Sequence, residues 1–467
     1  MANEPLVAGI DSSTQSTKVL LCRARDGSIV EQFSAPHPDG TECDPQHWQL
    51  ALNGAKSLLE KADAVAVAAQ QHGMVVLDRN GEVIRPALLW NDMRSAPQAR
   101  ALVEERGGPE TWAALTGSVP LASFTVTKLR WLAEHEPSHA QRTAHVLLPH
   151  DWLTWHLGGR AEKTTDRGDA SGTGYWSPHS NEGEQGAYLP EIAEAALGHD
   201  VSLPRVAHPS ETVGTTAWGA RVAPGTGDNM GAALGLGLEL GDVAVSIGTS
   251  GTAFAISDVP SADPSGLVAG FADATGRFLP LVCTLNAARI LSSAAALLRC
   301  SLDELSSLAL AARPGAGGLT LLPYLDGERS PNRPDASGVL RGLTTGNATP
   351  ENLARAAVEA LLSSLADATD YLARQGVRPR RVLLIGGGAR SEAVRQLAPQ
   401  IFGVPVTVPE PGEYVARGAA RQAAWALAGT AHPPDWPAPG ARQFDADPEP
   451  HVRERYAKLR DDTAGWP

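Results

Sequence analysis

A single aspartate, Asp228, stands in the stretch GTGDNMG (residues 225–231), among glycines and just ahead of the apolar run MGAALGLGL. Two kinds of chemistry suit it. It can cap the helix that the apolar run predicts, because an aspartate at a helix start accepts hydrogen bonds from orphan backbone amides. It can also act as a base: the positive end of a helix dipole favours the carboxylate, so Asp228 is expected to be anionic at neutral pH and able to take a hydroxyl proton. Glycines on either side let a substrate approach the backbone.

A second acid, Asp11, ends the run PLVAGI and is followed by SSTQST and Lys18. Such a turn aims amide N–H groups and hydroxyls at one point, which suits phosphate oxygens, and a carboxylate at its edge can hold Mg²⁺ directly or through water. An ordinary polar turn with an Asx cap is the plainer alternative. The design recurs in VAVSIGTSGTAFAI (243–256), so two hydroxyl-rich turns could grip a polyphosphate together. In LLIGGGARSE (383–392), Gly386 and Gly388 fit a dinucleotide fingerprint, but Ser391 stands where its third small residue belongs. The alternative is a strand-to-helix turn against which a nucleoside lies flat, with Ser391 or Glu392 nearby. His72, closing AVAVAAQQHG, is either a hydrogen-bonded core histidine or a substrate ligand. Trp90, Asn91, Asp92 and Arg94 follow another strand and either line the same pocket or hold a structural ion pair.

The elements that must position these residues alternate between strands and helices, which predicts an α/β class with mixed sheets. Residues 5–22 and 243–256 each read as a β-hairpin, one opening each half of the chain, as a duplicated domain would. Asp44-Pro45 starts a helix running through Trp48 and Leu58, and Asn80-Gly81 between apolar runs predicts a hairpin. Thr349-Pro350-Glu351 opens a second-half helix, followed by the strand RVLLI (381–385). At 467 residues two domains are expected, 1–238 and 239–467. The Pro/Gly-rich stretches 177–186 and 431–440 read as surface loops carrying little core.

The formal charge of −13 with no basic run argues against nucleic acid as a partner. The four cysteines, Cys22, Cys43, Cys283 and Cys300, have no metal-ligand spacing and fit reduced core thiols. No basic leader or long apolar segment is present, so a cytoplasmic protein without membrane contact is expected. The sequence admits a homodimer without specifying one.

Taken in order, GIDSSTQSTK, AQQHG, LLWNDMR, SFTVTKLRWLAEH (123–135), GTGDNMGAALG, SIGTSGT, LLPYLDGERSP, GVLRGLTTGNATPENLARAAVE (338–359) and LIGGGARSE resemble the FGGY family of carbohydrate kinases over nearly the whole chain. The two long stretches are similar to the family's signatures. The resemblance implies two ribonuclease-H-like domains of the actin and hexokinase type around a central cleft, ATP and Mg²⁺ as cofactors, and a small sugar, a pentulose, as partner. It implies Asp228 as the base toward the sugar, Gln71, His72 and Asn229 as further sugar contacts, and Asp11 at the metal. Thr14, Gln15, Ser16 and Lys18 would form the first phosphate turn and Gly248, Thr249 and Ser250 the second. Gly387, Gly388 and Ala389, with Glu392 close by, would back the adenosine. Ser13 and Gln15 depart from the family's D-x-G-T-[ST] turn, and Gln71 stands where methionine is common. Another sugar kinase of the same family, a non-catalytic sugar sensor and an NAD-dependent oxidoreductase are the competing readings. The sensor lacks a DNA-binding or partner module, and the oxidoreductase leaves two hydroxyl-rich turns unexplained.

Overall fold

Residues 4–179, 186–438 and 440–466 are described by the computed structural model, in which the chain gathers into two units. The first takes residues 1–237, 258–279 and 412–437; the second takes 238–257, 280–411 and 438–467.

In the first unit β1 (Leu6–Ser12) and β2 (Ser16–Arg23) form the expected hairpin, with Asp11 opposite Lys18, and β3 (Ile29–Pro36) closes that edge. On the other side of β1 runs the parallel strand Ala64–Ala69, buried along its whole length as a strand covered on both faces must be. Beyond it lie Arg221–Val222 and Thr226–Gly227, both parallel to Ala64–Ala69 and separated at Pro224. Proline cannot donate to a ladder, so the interruption falls there. One face of the sheet is packed by Trp48, Leu52, Trp152 and Leu153. The other is covered by the alanine-rich helix Tyr414–Ala428, which comes so close that a Cβ on Gly9 would stand 1.9 Å from the Ala416 carbonyl oxygen.

A single cut at 238/239 therefore does not describe this unit. Residues 412–437 belong with it because Ala416, Ala419, Ala420 and Ala423 complete its core. The 431–440 stretch is also more than a loop: Trp436 is 3% exposed in the same core and its indole donates to the Ala24 carbonyl at 3.0 Å. Of the 177–186 stretch, residues 180–185 lie outside the described residues. Asp44 caps its helix by accepting from the Gln46 amide, but that helix ends at Gly54 and a separate turn of helix, Lys56–Leu59, carries Leu58. At Asn80-Gly81 the turn forms, yet only the bridge Leu77 to Val83 crosses it. Val75–Leu77 pairs instead with His145–Leu147, a tertiary competitor that the local pattern does not reveal.

In the second unit Asp242–Ile247 and Gly251–Ala255 form the second hairpin, and Arg381–Ile385 runs parallel to the first of them. Val406–Pro409 and Ala441–Phe444 extend the sheet on that side. The helix Pro350–Arg374 starts where expected, Thr349 accepting from the Asn352 amide, and packs against Gly251–Ala255. Among the described residues no helix is long and apolar enough to cross a membrane.

Candidate functional site

In the first unit three parallel strands end side by side. Asp11 is paired with Ala68 from one side and Thr226 with Ala68 from the other, while the middle strand continues into Gln70, Gln71 and His72. Asp11, Gln71-His72 and Asp228 thus emerge at the carboxyl ends of adjacent strands, where open α/β sheets bind ligands.

Asp228 is the first residue of the helix Asp228–Leu236, not its cap, which is Gly227. Its Oδ1 accepts from the Asn229 backbone amide at 2.8 Å and from the Asn229 side chain at 2.9 Å. Although partly exposed, the carboxyl has protein around it on most sides, and this burial pushes its pKa up to about 7, with Asp11 and Asp169 adding to the rise. The expectation of a fully ionised Asp228 at neutral pH is corrected accordingly: desolvation and two like charges outweigh the helix dipole. The helix is seated through glycine. A Cβ on Gly418 would stand 1.8 Å from the Gly231 carbonyl oxygen, and one on Gly235 would stand 2.0 Å from that of Tyr414. Only glycine allows the two helices so close, and this contact sets where the first turn ends up.

Asp11 is 3% exposed and pushed up to about 6, chiefly by burial, against the lowering effect of the Ser13 hydroxyl at 2.5 Å and of Lys18. A desolvated carboxylate beside a hydroxyl is an all-oxygen donor set of the kind a hard divalent cation takes, so these residues fit Mg²⁺. The Lys18 ammonium lies 2.7 Å from Glu413. Thr14 Oγ1 receives the Trp90 indole N–H at 2.8 Å, and Gln15 is exposed. His37 clamps the turn from behind, its Nδ1 at 2.9 Å from the Ser13 carbonyl and its Nε2 at 2.8 Å from the Thr17 hydroxyl.

His72 adopts φ 65°, unusual for a residue with a side chain. The strain is supported on several sides. Its Nδ1–H donates to the Gly172 carbonyl at 2.7 Å, its own carbonyl accepts from the Thr125 hydroxyl at 3.1 Å, and its ring stacks on Phe124 at 4.7 Å. Phe124 and Thr125 come from the SFTVTK stretch. Gln71 is 4% exposed; its Oε1 accepts from the Asn229 side chain at 3.0 Å, while its Nε2 has no hydrogen-bond partner among the described residues. Gln71, Asn229 and Asp228 are thus one linked group. Asp92 belongs elsewhere: Arg94 grips it at 2.8 and 2.9 Å and also reaches Glu42, a structural ion pair.

In the second unit the Gly248–Ser250 turn and the Gly386–Ala389 turn lie at the same sheet end, since Ser246 pairs with Ile385. A Cβ on Gly386 would stand 2.8 Å from the Ile247 carbonyl oxygen and one on Gly388 2.3 Å from the Ile247 side chain, whereas Gly387 has nothing within 4 Å. Thr249 and Ser250 are exposed. Ser391 caps the helix Glu392–Phe402, and Glu392 accepts from Gln396 at 2.9 Å. The GGGA turn is therefore a strand-to-helix turn with an open glycine surface, not the fingerprint of a dinucleotide site.

Sequence reasoning missed a buried ionic cluster in the first unit. His150 is 0% exposed, with Nδ1 at 2.5 Å from Asp169 and Nε2 at 3.2 Å from Asp151. Asp166 caps the helix Arg167–Ser171 and accepts from the Thr226 hydroxyl at 2.7 Å. Burial alone would lower the His150 pKa, but the surrounding carboxylates outweigh it and push it up to about 9; burial pushes Asp151 up to about 7 and Asp169 up to about 6. The protonated imidazole supplies the positive charge of this cluster. The available signal was the acid pair in TTDRGDASG next to small residues, which reads as a polar loop until its burial is seen.

The profile of the FGGY family of carbohydrate kinases matches this chain with its N-terminal domain over residues 6–235 and its C-terminal domain over residues 243–427. A xylulose kinase of Streptomyces coelicolor is 49% identical over 92% of this chain and 89% of its own length, and one of Streptomyces rubiginosus is 47% identical over 99% and 96%. Among solved structures, the xylulose kinase from Bifidobacterium adolescentis is 45% identical and superimposes with a TM-score of 0.91 over 98% of this chain and 99% of that one.

Proposed function

The chain belongs to the FGGY family of carbohydrate kinases and is a sugar kinase, and from that premise we propose that it transfers the terminal phosphoryl group of ATP to D-xylulose, with Asp228 as general base. The observation that carries the role of Asp228 is its carboxyl at a helix start with a pKa near neutrality, linked through Asn229 to Gln71. A base is most effective when its pKa lies near the working pH, where it is substantially ionised yet still binds a proton well.

In this mechanism Asp228 accepts the proton of the attacking primary hydroxyl, O5 of the ketose. Asn229 and Gln71 hydrogen-bond the sugar, the Gln71 Nε2–H being the donor still to be satisfied. His72, its Nδ1–H directed at the Gly172 carbonyl and its ring stacked on Phe124, is assigned to the sugar beside them. Asp11 would hold Mg²⁺, which when bound neutralises charge on the phosphates. The turn at Thr14, Gln15, Ser16 and Lys18 is assigned to phosphate, together with Gly248, Thr249 and Ser250. Gly387, Gly388 and Ala389 are assigned to the adenosine, with Glu392 at their rim. Four free cysteines and a need for ATP fit the cytoplasm.

The substrate assignment is tested by ADP release with D-xylulose, D-ribulose, D-gluconate and glycerol as acceptors. D-xylulose is expected to give the highest kcat/KM; a tenfold or larger preference for another acceptor, about 1.4 kcal/mol in transition-state binding, would overturn it.

A further inference from the structure

Burying four ionisable side chains together is not needed for stability, since apolar residues of similar volume commonly do as well. The His150 cluster nevertheless fills a site 0–3% exposed beneath the strand that leads to Asp228. We infer that Asp169, held from behind by His150, is a positioning residue for Asp228: it packs beside the Thr226–Gly227 strand that leads into the base. This rests on Asp228 being the base proposed above.

The geometry points the same way from three places. Asp169 Oδ2 accepts from His150 Nδ1, while its Oδ1 has no partner among the described residues and lies 2.7 Å from where a Cβ on Gly227 would stand. That oxygen therefore occupies the space a side chain at residue 227, immediately before Asp228, would need. Thr226 is tied to the cluster through Asp166, and a Cβ on Gly225 would stand 2.6 Å from the His150 ring. All three residues leading into the base thus rest on this one network.

The charges around Asp228 come from two sides. From β1 comes Asp11, with the Lys18–Glu413 pair beyond it, and from the Arg167–Ser171 helix comes Asp169, backed by the protonated His150 and, around that imidazole, by Asp151 and Asp166. Ala64–Ala69 contributes no ionisable group. On the alanine-rich helix, Arg417 and Arg421 donate to the Gly235 and Leu234 carbonyls at the far end of the Asp228 helix. Asp169 is therefore, after Asp11, the carboxylate whose removal the base should feel.

The test is the pH dependence of kcat/KM for the ketose in Asp169→Asn, with Asp151→Asn as comparison. Asp151 also touches His150 but is not among the atoms nearest to where a side chain on Gly225 or Gly227 would stand. Removing the Asp169 charge should move the acid limb down by about 0.5–1 pH unit and lower the plateau kcat, whereas Asp151→Asn should lower the melting temperature and leave the limb in place. A purely structural Asp169 would lower activity at every pH with the limb unmoved, and that result overturns the inference. Should Asp169→Asn fail to fold, carbon-13 titration of the carboxyls in the intact enzyme decides. Asp228, identified by its loss in Asp228→Asn, should then titrate in two coupled steps; a single step near pH 4 counts against the inference. If Asp228→Asn keeps full turnover, it is the role of the base that fails, not the influence of Asp169 on its proton affinity, which the titration reads directly.

Discussion

The Gln71 side-chain oxygen Oε1 accepts a hydrogen bond from the Asn229 side chain at 3.0 Å, which ties the chain just past the Ala64–Ala69 strand to the first turn of the helix bearing Asp228. The other end of the same amide is an unsatisfied buried donor, and leaving such a group unpaired costs about 1–3 kcal/mol. A sugar hydroxyl that satisfies it recovers that cost only when bound. Gln71→Ala is therefore expected to raise the KM for the ketose about tenfold, leaving the KM for ATP within twofold. Steady-state kinetics with each substrate varied separately checks this.

Asp228→Asn keeps the size and the acceptor of the side chain but removes the base. Turnover should fall by ~10² or more while the affinities for sugar and nucleotide, measured calorimetrically, stay close to wild type. Undiminished turnover would remove Asp228 from the mechanism.

The pH profile follows from two raised carboxyls. Because the base works only when deprotonated, kcat/KM should decline as pH falls through about 7, and more steeply below about 6 where Asp11 also takes up a proton. For stability the sign is opposite to that of a salt-bridged acid. The folded pKa of Asp228 lies above its ordinary 3.8, so its burial costs nothing at low pH and progressively more as pH rises toward 7. Asp228→Asn should accordingly raise the melting temperature more at pH 8 than at pH 4. A melting temperature lowered equally at both would contradict the burial argument.

His72 can be separated into backbone and ring. Asparagine tolerates the left-handed conformation better than most residues, so His72→Asn should fold with a melting temperature near wild type. It lacks the ring that stacks on Phe124, and the ketose KM should rise by about tenfold. If instead only the ATP requirement changed, His72 would not belong to the sugar site.

Gly418→Ala asks two helices to separate, because the new methyl would overlap the Gly231 carbonyl. Overpacking of this kind costs about 1–3 kcal/mol, and here the displaced helix carries Asp228. Chemical denaturation should register the loss, and kcat should fall along with it. Gly403→Ala makes a useful contrast: nothing lies within 4 Å of it, so its cost comes from its φ of 69° alone and kcat should be unchanged.

Much of this arrangement was legible in the sequence where the signal is local. The two hairpins and the Asp44 and Thr349 caps follow from strand and turn chemistry close in the chain, whereas the grouping of Gln71, His72, Asn229 and Asp228 came only from the family resemblance. What escaped depends on distant residues. An alanine-rich helix carries no large periodic side chains to announce a partner, so nothing near residue 414 reveals that it covers β1. The charge state of Asp228 was misjudged because the helix dipole is local, whereas burial and the charges of Asp11 and Asp169 are supplied by folding. His150, Asp166 and Asp169 sit in ordinary-looking polar stretches, and only the tertiary structure brings them together.

The dependence of the first unit on residues 412–437 also bears on how this polypeptide matures. A ribosome that has finished residue 237 has made every strand of the β1 sheet but not the alanine surface that must cover it, so Gly9 and its neighbours lack that cover until synthesis is almost complete. Fragments that stop short of residue 412 should be sticky and reliant on chaperones, and supplying the missing helix as a separate peptide should rescue them.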